Sequence, residues 1–481
     1  KKALDGNLRR RKKKKLIMEF GDRKVIALVG KDYIKVNKEK VEIEHPLYYK
    51  SDENDKKVLY IPFEVLEKGL DAKFDFKTSE NTMYVTIPEL KLPSFYRLDN
   101  SGRVSSEVKD QGDIRACWAF ATIGAMESSL LPDETNDFSE DHLSIRNNYE
   151  MSQNEGGVYT MAWSYLASWV GPVYEKDDPF GDGVSPNKLK AVKHVQEIQM
   201  LPKKDYRAIK EMIYKNGGVT GCIYIDNTSY ANLYEYYNEQ NASFYYDGKE
   251  EPNHEIFIIG WDDDYDKNKF NHQPKENGAF ICRNSWGEDF GENGVFYISY
   301  EDTWVADFNE SYTRIDNADN YDNIYEYDEC GYCGVLGFSH NKSVMAANVF
   351  TANDDEILKA MSFYITVENC KYECFVCPEY KGTAFLKSDM IKVTEGKKKN
   401  KGYYTVDFDG FDISKDTEYA IIIKMTIEEE GDPIAIECKN DLLKNKSCIN
   451  GKGYYSVDGV KWTLAENDGC DICLKAFTDN R

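Results

Sequence analysis

A chain of 481 residues, 41% hydrophobic and 14% aromatic, has the length for about two to four domains and the apolar content to bury several cores, which excludes global disorder. Its formal net charge of −23 argues against nucleic acid or an anionic membrane as the main partner of the folded body, and solubility is reason enough for the acidity. No apolar run reaches the roughly eighteen residues a membrane span needs. The chain opens at Lys1 without a Met or a signal-type apolar segment, which reads as a processed product.

Residues 1–20 form a basic arm. Arg9 to Lys15 are consecutive cations that repel one another, which predicts a solvated tail; the sharper readings are an activation cut or a contact with wall polyanions. Residues 21–90 read as a small α+β domain. Strands are predicted over 24–29 and 33–36, a strand turning into a short helix over 58–66, and a closing strand over 83–87.

The next stretch carries the chemistry. Gln111 to Trp118 reads Gln-Gly-Asp-Ile-Arg-Ala-Cys-Trp, followed by a proline-free run of small and apolar residues that predicts a buried helix. A cysteine in the first turn of a helix is a nucleophile candidate, because the helix N-terminus stabilises a thiolate. A base and an orienting group follow: His254 comes 137 residues after Cys117, and Asn284 comes 30 residues after that. Further helical segments are expected over 160–166 and 189–195. A strand-rich part is expected to run from near 218–225 to 294–299. The acids at 262–264 open what reads as a surface loop; solvated acids are expected there, with Ca²⁺ as the alternative.

Taken together, these residues resemble the papain family of cysteine peptidases over roughly 92–312. Gln111 matches the family's oxyanion-hole glutamine, and Cys117-Trp118-Ala119-Phe120 its nucleophile helix. His254 matches the catalytic histidine at the head of a core strand. Asn284-Ser285-Trp286-Gly287 matches the orienting asparagine and its shielding tryptophan. Glu155-Gly156-Gly157 matches the glycine pair that binds an extended substrate. By the same likeness Val158, Tyr159, Cys222 and Glu255 line the pocket for the second residue before the cut. Glu255 there suggests acceptance of Lys or Arg, unless it points away. The resemblance implies a helical lobe and a strand lobe with the cleft between them. It also implies a thiolate–imidazolium pair that attacks the scissile carbonyl through an acyl-enzyme, with no cofactor required for catalysis. The chain departs from the family at Ile114, where a disulfide cysteine is usual, and at Arg115-Ala116, where a small pair is usual.

The flanking regions carry resemblances of their own. Residues 21–90 resemble the stalk-type domain of bacterial surface proteins, carried by Val36-Asn37-Lys38-Glu39-Lys40-Val41, Tyr60-Ile61-Pro62-Phe63 and Gly69-Leu70-Asp71-Ala72. No inhibitory helical propeptide is apparent. A folding aid, a removable prodomain of a zymogen, and a spacer are the roles open to it. Residues 313–324 read as a connector. From Tyr325 to Arg481 the recurring strands at 345–350, 357–367, 383–386, 403–408, 418–425 and 472–477 predict an all-β sandwich. It resembles the lectin-like domain that follows the peptidase in some bacterial surface enzymes, which implies contact with cell wall or glycan.

Nine of the twelve cysteines lie in this last region, three pairs of them spaced C-x₂-C. Disulfides or free thiols are expected, with zinc as the alternative.

The fold class expected is therefore α+β: a papain-like domain between a small stalk-like domain and a β-sandwich. The function expected is an exported or surface cysteine endopeptidase acting on protein substrates. An inactive papain-fold adhesin and a transpeptidase are the competing readings.

Overall fold

The computed structural model describes every residue except 1–6, 12–14, 21–22, 52–56, 78–81, 87–90, 106, 227, 339–340, 383–384, 386–388, 444–448 and 450. Cys448, part of the basic run and all but Phe385 of the expected strand 383–386 lie outside the described residues.

The N-terminal domain is a five-stranded antiparallel meander, Asn7–Arg11, Lys15–Phe20, Arg23–Leu28, Tyr33–Val36 and Glu39–Glu42. Helix Phe63–Leu70 lies on it and buries Val65 and Leu70 against Leu16, Met18, Val25 and Ile34. The stretch 1–20 is thus not simply a solvated arm. The apolar residues Leu16 to Met18 carry the chain into the sheet, and the domain begins well before residue 21.

Three lysines of this domain touch the protease-like core. Lys38 Nζ donates to the carbonyls of Ser128 (3.0 Å), Ser129 (2.6 Å) and Leu131 (2.9 Å), at the C-terminus of helix Cys117–Leu130. Lys24 Nζ donates to Asn216 Oδ1 and the Thr313 carbonyl, and Lys35 pairs with Asp133.

The central domain has two lobes. Helices Cys117–Leu130, Glu140–Ile145 and Tyr159–Ala167 form the first. Helix Cys117–Leu130 is apolar nearly all round, as a fully enclosed helix must be. The second lobe is a sheet centred on His254–Asp262, which pairs with Phe95–Arg97, Val219–Ile223 and Ala279–Arg283; Val295–Ser299 pairs with the last. Phe257 of the central strand packs against the nucleophile helix at Gly124, where a Cβ would come within 3.0 Å of its ring.

Residues 189–195, expected as helix, lead into a strand, Lys193–Met200. Val192, Val195 and Ile198 are β-branched, and partners stand on both sides: Glu310–Asn317 on one and Lys401–Ile413 on the other. These pairings build one six-stranded sheet shared by the central and C-terminal domains. Its strands run, in order, Glu310–Asn317, Lys193–Met200, Lys401–Ile413, Glu356–Ile365, Leu474–Asn480 and Asn323–Tyr325. The expected connector 313–324 is therefore largely strand.

Among the described residues the part after Tyr325 has no α-helix, in line with the sandwich reading. Its second sheet runs Ile391–Lys398, Cys370–Cys377, Glu418–Thr426, Ser343–Thr351, Lys452–Ser456 and Thr463–Leu464. The facing residues of the two sheets, such as Leu358, Met361, Phe363, Ile421 and Ile423, fill the core between them. Cys333, Cys370, Cys374, Cys377, Cys438 and Cys473 are free thiols, the second of the two states expected for this region.

Candidate active site

Cys117 is the first residue of its helix. Ala116 precedes it with no side-chain cap, which leaves the first-turn N–H groups to the sulfur. Burial pushes the Cys117 thiol up. The backbone N–H groups of Glu255, Trp118 and Cys117 itself pull it back down. The Glu255 N–H lies 3.5 Å from Sγ, so the strand that carries His254 closes directly over the nucleophile.

His254 Nε2 is 2.8 Å from Asn284 Oδ1. The Ser285 N–H also donates to that atom (2.9 Å), which identifies it as the amide oxygen. An oxygen can only accept, so Nε2 carries the proton and Nδ1 is left for the thiol. Trp286 covers the pair, its ring centroid 4.9 Å from that of the imidazole. Burial holds His254 down to about 4, with the Asn284 bond opposing. A lone imidazolium or a lone thiolate is thus disfavoured here.

Gln111 is clamped on three sides. Its N–H donates to the Ser285 carbonyl (2.8 Å), its Oε1 accepts from Ser285 Oγ (2.6 Å), and its Nε2 donates to the Ile114 carbonyl (2.6 Å). The second Nε2 hydrogen is left for an oxyanion. Ser285 carries no motif signal beyond its place beside Asn284, yet it orients both Gln111 and Asn284.

The glycine pair is placed by sterics. Ser152 and Glu155 form a capping box that fixes the turn ahead of Gly156, whose φ is +91°. A Cβ on Gly157 would fall 2.3 Å from the Trp118 ring, so this backbone lies flat against the residue after the nucleophile. Val158 is exposed, and Tyr159 begins the next helix with its ring stacked at 6.4 Å on Phe308. Cys222 sits directly across from Glu255 in the strand register. Glu310 completes this corner and is absent from the sequence-derived set. Its N–H donates to Thr220 Oγ1, and Tyr312 donates to its Oε2. It stands in no motif, and only the shared sheet brings it in.

Arg115 is exposed at the rim. Asp263 of the acidic loop is paired with Lys210 and accepts from Tyr300 OH (2.6 Å). Among the described residues no three His, Cys, Asp or Glu side chains come together as metal ligands would.

Sequence comparison matches residues 93–314 to the papain family cysteine protease model. Residues 93–314 are a papain-family cysteine protease domain. Residues 324–478 match the lectin like domain model.

A viral cathepsin of Heliothis zea nuclear polyhedrosis virus is 29% identical over 246 residues, 49% of this chain and 62% of that protein. A probable cysteine protease, RD19B of Arabidopsis thaliana, is 28% identical over 252 residues, 49% of this chain and 66% of that one. The chain thus spans less than two thirds of the length of these relatives.

Among solved structures, the clostridial cysteine protease Cwp84 after propeptide cleavage superposes with a TM-score of 0.71 at 25% identity, covering 81% of this chain and 100% of that one. The cysteine protease and lectin-like domains of Cwp84, described as a surface layer associated protein of Clostridium difficile, give the same score over 82% and 90%.

Proposed function

We propose that the chain is an exported cysteine endopeptidase that cleaves proteins at or near a cell surface. The observation that carries this is the ordered set around Cys117: a helix N-terminus behind the sulfur, His254 held in one tautomer by Asn284, and Gln111 locked beside them.

In the reaction the Cys117 proton passes to His254 Nδ1. The sulfur adds to the scissile carbonyl, whose oxygen is met by the Cys117 N–H and Gln111 Nε2. A donor of this kind is worth about 3–4 kcal/mol in the transition state. His254 then protonates the leaving amine, and water resolves the acyl-enzyme with His254 as base. No step calls for a cofactor. The likeness to a surface layer associated protein supports the location and the substrate class. The lectin-like domain supports a wall or glycan contact. No described helix is long and apolar enough to cross a membrane.

The test is labelling by an epoxide inhibitor of papain-type enzymes under reducing conditions. Labelling confined to Cys117, absent in Cys117→Ala and paired with loss of peptide hydrolysis, is the expected result. No labelling, either of the full chain or after removal of residues 1–90, overturns the reading in favour of an adhesin. Products joined to an added amine would make the enzyme a transpeptidase.

A further inference from the structure

The peptidase reading gives no role to a group of cations where the N-terminal domain meets the protease domain. Arg103 is 5% exposed. Its Nη1 donates to Tyr96 OH (3.2 Å) and to the Tyr214 carbonyl (3.1 Å), in the last turn of helix Tyr206–Lys215. Its Nε and Nη2 are buried, and among the described residues nothing accepts from either. These two groups lie side by side on one edge of the guanidinium. Together they are the fork that takes two oxygens of a single acceptor.

Further cations crowd this place from the N-terminal domain. Lys38 is on the carbonyls of Ser128, Ser129 and Leu131, and Lys24 is on Asn216 Oδ1 and the Thr313 carbonyl. Burial, then the charges of Arg103 and Lys24, hold the Lys38 ammonium well below its usual value. Arg23 has a side chain 14% exposed, stands 3.7 Å from Asp71, and has a buried Nε with no acceptor among the described residues. Arg23 and Arg103 belong to different domains, yet the charges of both reach the Tyr214 hydroxyl. The acids nearby do not fill the fork: Asp133 is paired with Lys35, and Glu39 is exposed on its strand. A buried guanidinium edge without an acceptor is costly, and in a chain of net charge −23 this boundary is locally cationic.

We infer that Arg103 and Arg23 form a site for a small oxyanion, of the phosphate or sulfate class, between the N-terminal domain and the protease domain. Arg103 supplies the two-pronged contact through Nε and Nη2. Arg23 Nε supplies a donor from the other domain, so the bound anion bridges the two. The anion also offsets the repulsion among Arg103, Lys24 and Lys38. The site is beside the C-terminus of helix Cys117–Leu130, the end away from the nucleophile. It is thus separate from the cleft and does not depend on the peptidase reading.

The test is equilibrium dialysis of the full chain, carrying Cys117→Ala to prevent self-cleavage, against radiolabelled inorganic phosphate and then sulfate, with ionic strength held constant by chloride. The expected result is saturable binding of one anion per chain, with a melting temperature that rises as the anion is added. Arg103→Lys keeps the charge and loses the fork, so it should weaken binding about ten- to a hundredfold and remove the rise in melting temperature. Arg23→Gln should weaken binding about tenfold, and it reads the same site if Arg103→Lys does not fold. Unchanged binding in Arg103→Lys places the anion elsewhere and overturns the inference. Unchanged binding in Arg23→Gln removes the N-terminal domain from the site and overturns the bridge. No saturable binding in the parent chain overturns the inference outright, and binding that then appears in Glu39→Gln would make the Glu39 carboxylate the acceptor on the fork.

Discussion

Lys38 and Cys117 stand at opposite ends of one helix. The sulfur occupies the N-terminal turn, while the Lys38 ammonium donates to three carbonyls, of Ser128, Ser129 and Leu131, at the C-terminus. Lys38 comes from the N-terminal domain, so that domain supplies the cap the nucleophile helix lacks. Its contact is at the far end from the nucleophile and leaves Cys117 free of it. Lys38→Met should therefore cost about 1–3 kcal/mol, because buried carbonyls lose their donor. The fraction that remains folded should keep its rate of epoxide labelling. Denaturant melts of the two chains, alongside labelling rates, measure both effects. Faster labelling in the variant would instead make the domain an inhibitor.

Gly157 lies against the ring of Trp118, the residue after Cys117. Gly157→Ala forces a methyl into the Trp118 ring, so either the substrate strand or the helix start must move. A shift of about 1 Å at a reacting centre costs on the order of a hundredfold. The expected result is a drop of that size in kcat/KM together with a lowered melting temperature, since the ring that must give way is buried in the core. Activity within a few-fold of wild type would show that the strand can adapt.

Much of the site was readable in the sequence, and the reasons are local. Cys117, His254 and Asn284 each sit at the head of an element or beside its end, with neighbours whose pattern predicts that element. Gln111 and the glycine pair keep a short spacing to them. What could not be read depends on distant partners. The strand Lys193–Met200 has a short apolar run that fits helix or strand, and only Glu310–Asn317 and Lys401–Ile413 decide it. The connector at 313–324 looked like linker because Asp, Asn and Tyr dominate it. In the fold its Arg314 is buried against Asp316 and Asp407. Glu310 was missed for the same reason: the sheet brings it against Thr220 and Tyr312, with no motif around it.

That shared sheet couples the two domains. Glu197 of the protease and Lys398 of the lectin-like domain pair at 3.1 Å with side chains 2% and 7% exposed. Lys398→Met strands the carboxylate of Glu197 in the interior, a change that typically costs about 3–5 kcal/mol. The double variant Glu197→Gln/Lys398→Met should recover most of it. Urea melts followed by intrinsic fluorescence and by loss of epoxide labelling should coincide in the wild type and shift together in Lys398→Met. If labelling survives while fluorescence shifts, the domains unfold separately and the sheet does not transmit the loss.

Glu255 also predicts how stability varies with pH. Burial, then the neighbouring Cys117, raise its carboxyl from 4.5 to about 8. The groups around it, Cys117, Glu310, Tyr159 and Tyr312, bring no positive charge that would reverse this. Between these values the folded chain holds a proton that the unfolded chain has released. Folding is therefore favoured at the acid end of the window, and stability falls as pH rises from about 4.5 to 8. His254, held at about 4 against an ordinary 6.5, acts in the opposite sense: its share is present above 6.5 and lost as pH falls through 4. Measured in a Cys117→Ala background to prevent self-cleavage, Glu255→Gln should flatten the decline from pH 5 to 8 by on the order of a kcal/mol or more. It should leave the acid limb, to which His254 and the buried His142 and His194 contribute, where it was. Parallel curves for the two chains above pH 5 would mean that Glu255 is ionised in the folded state, with a cation or solvent already reaching it.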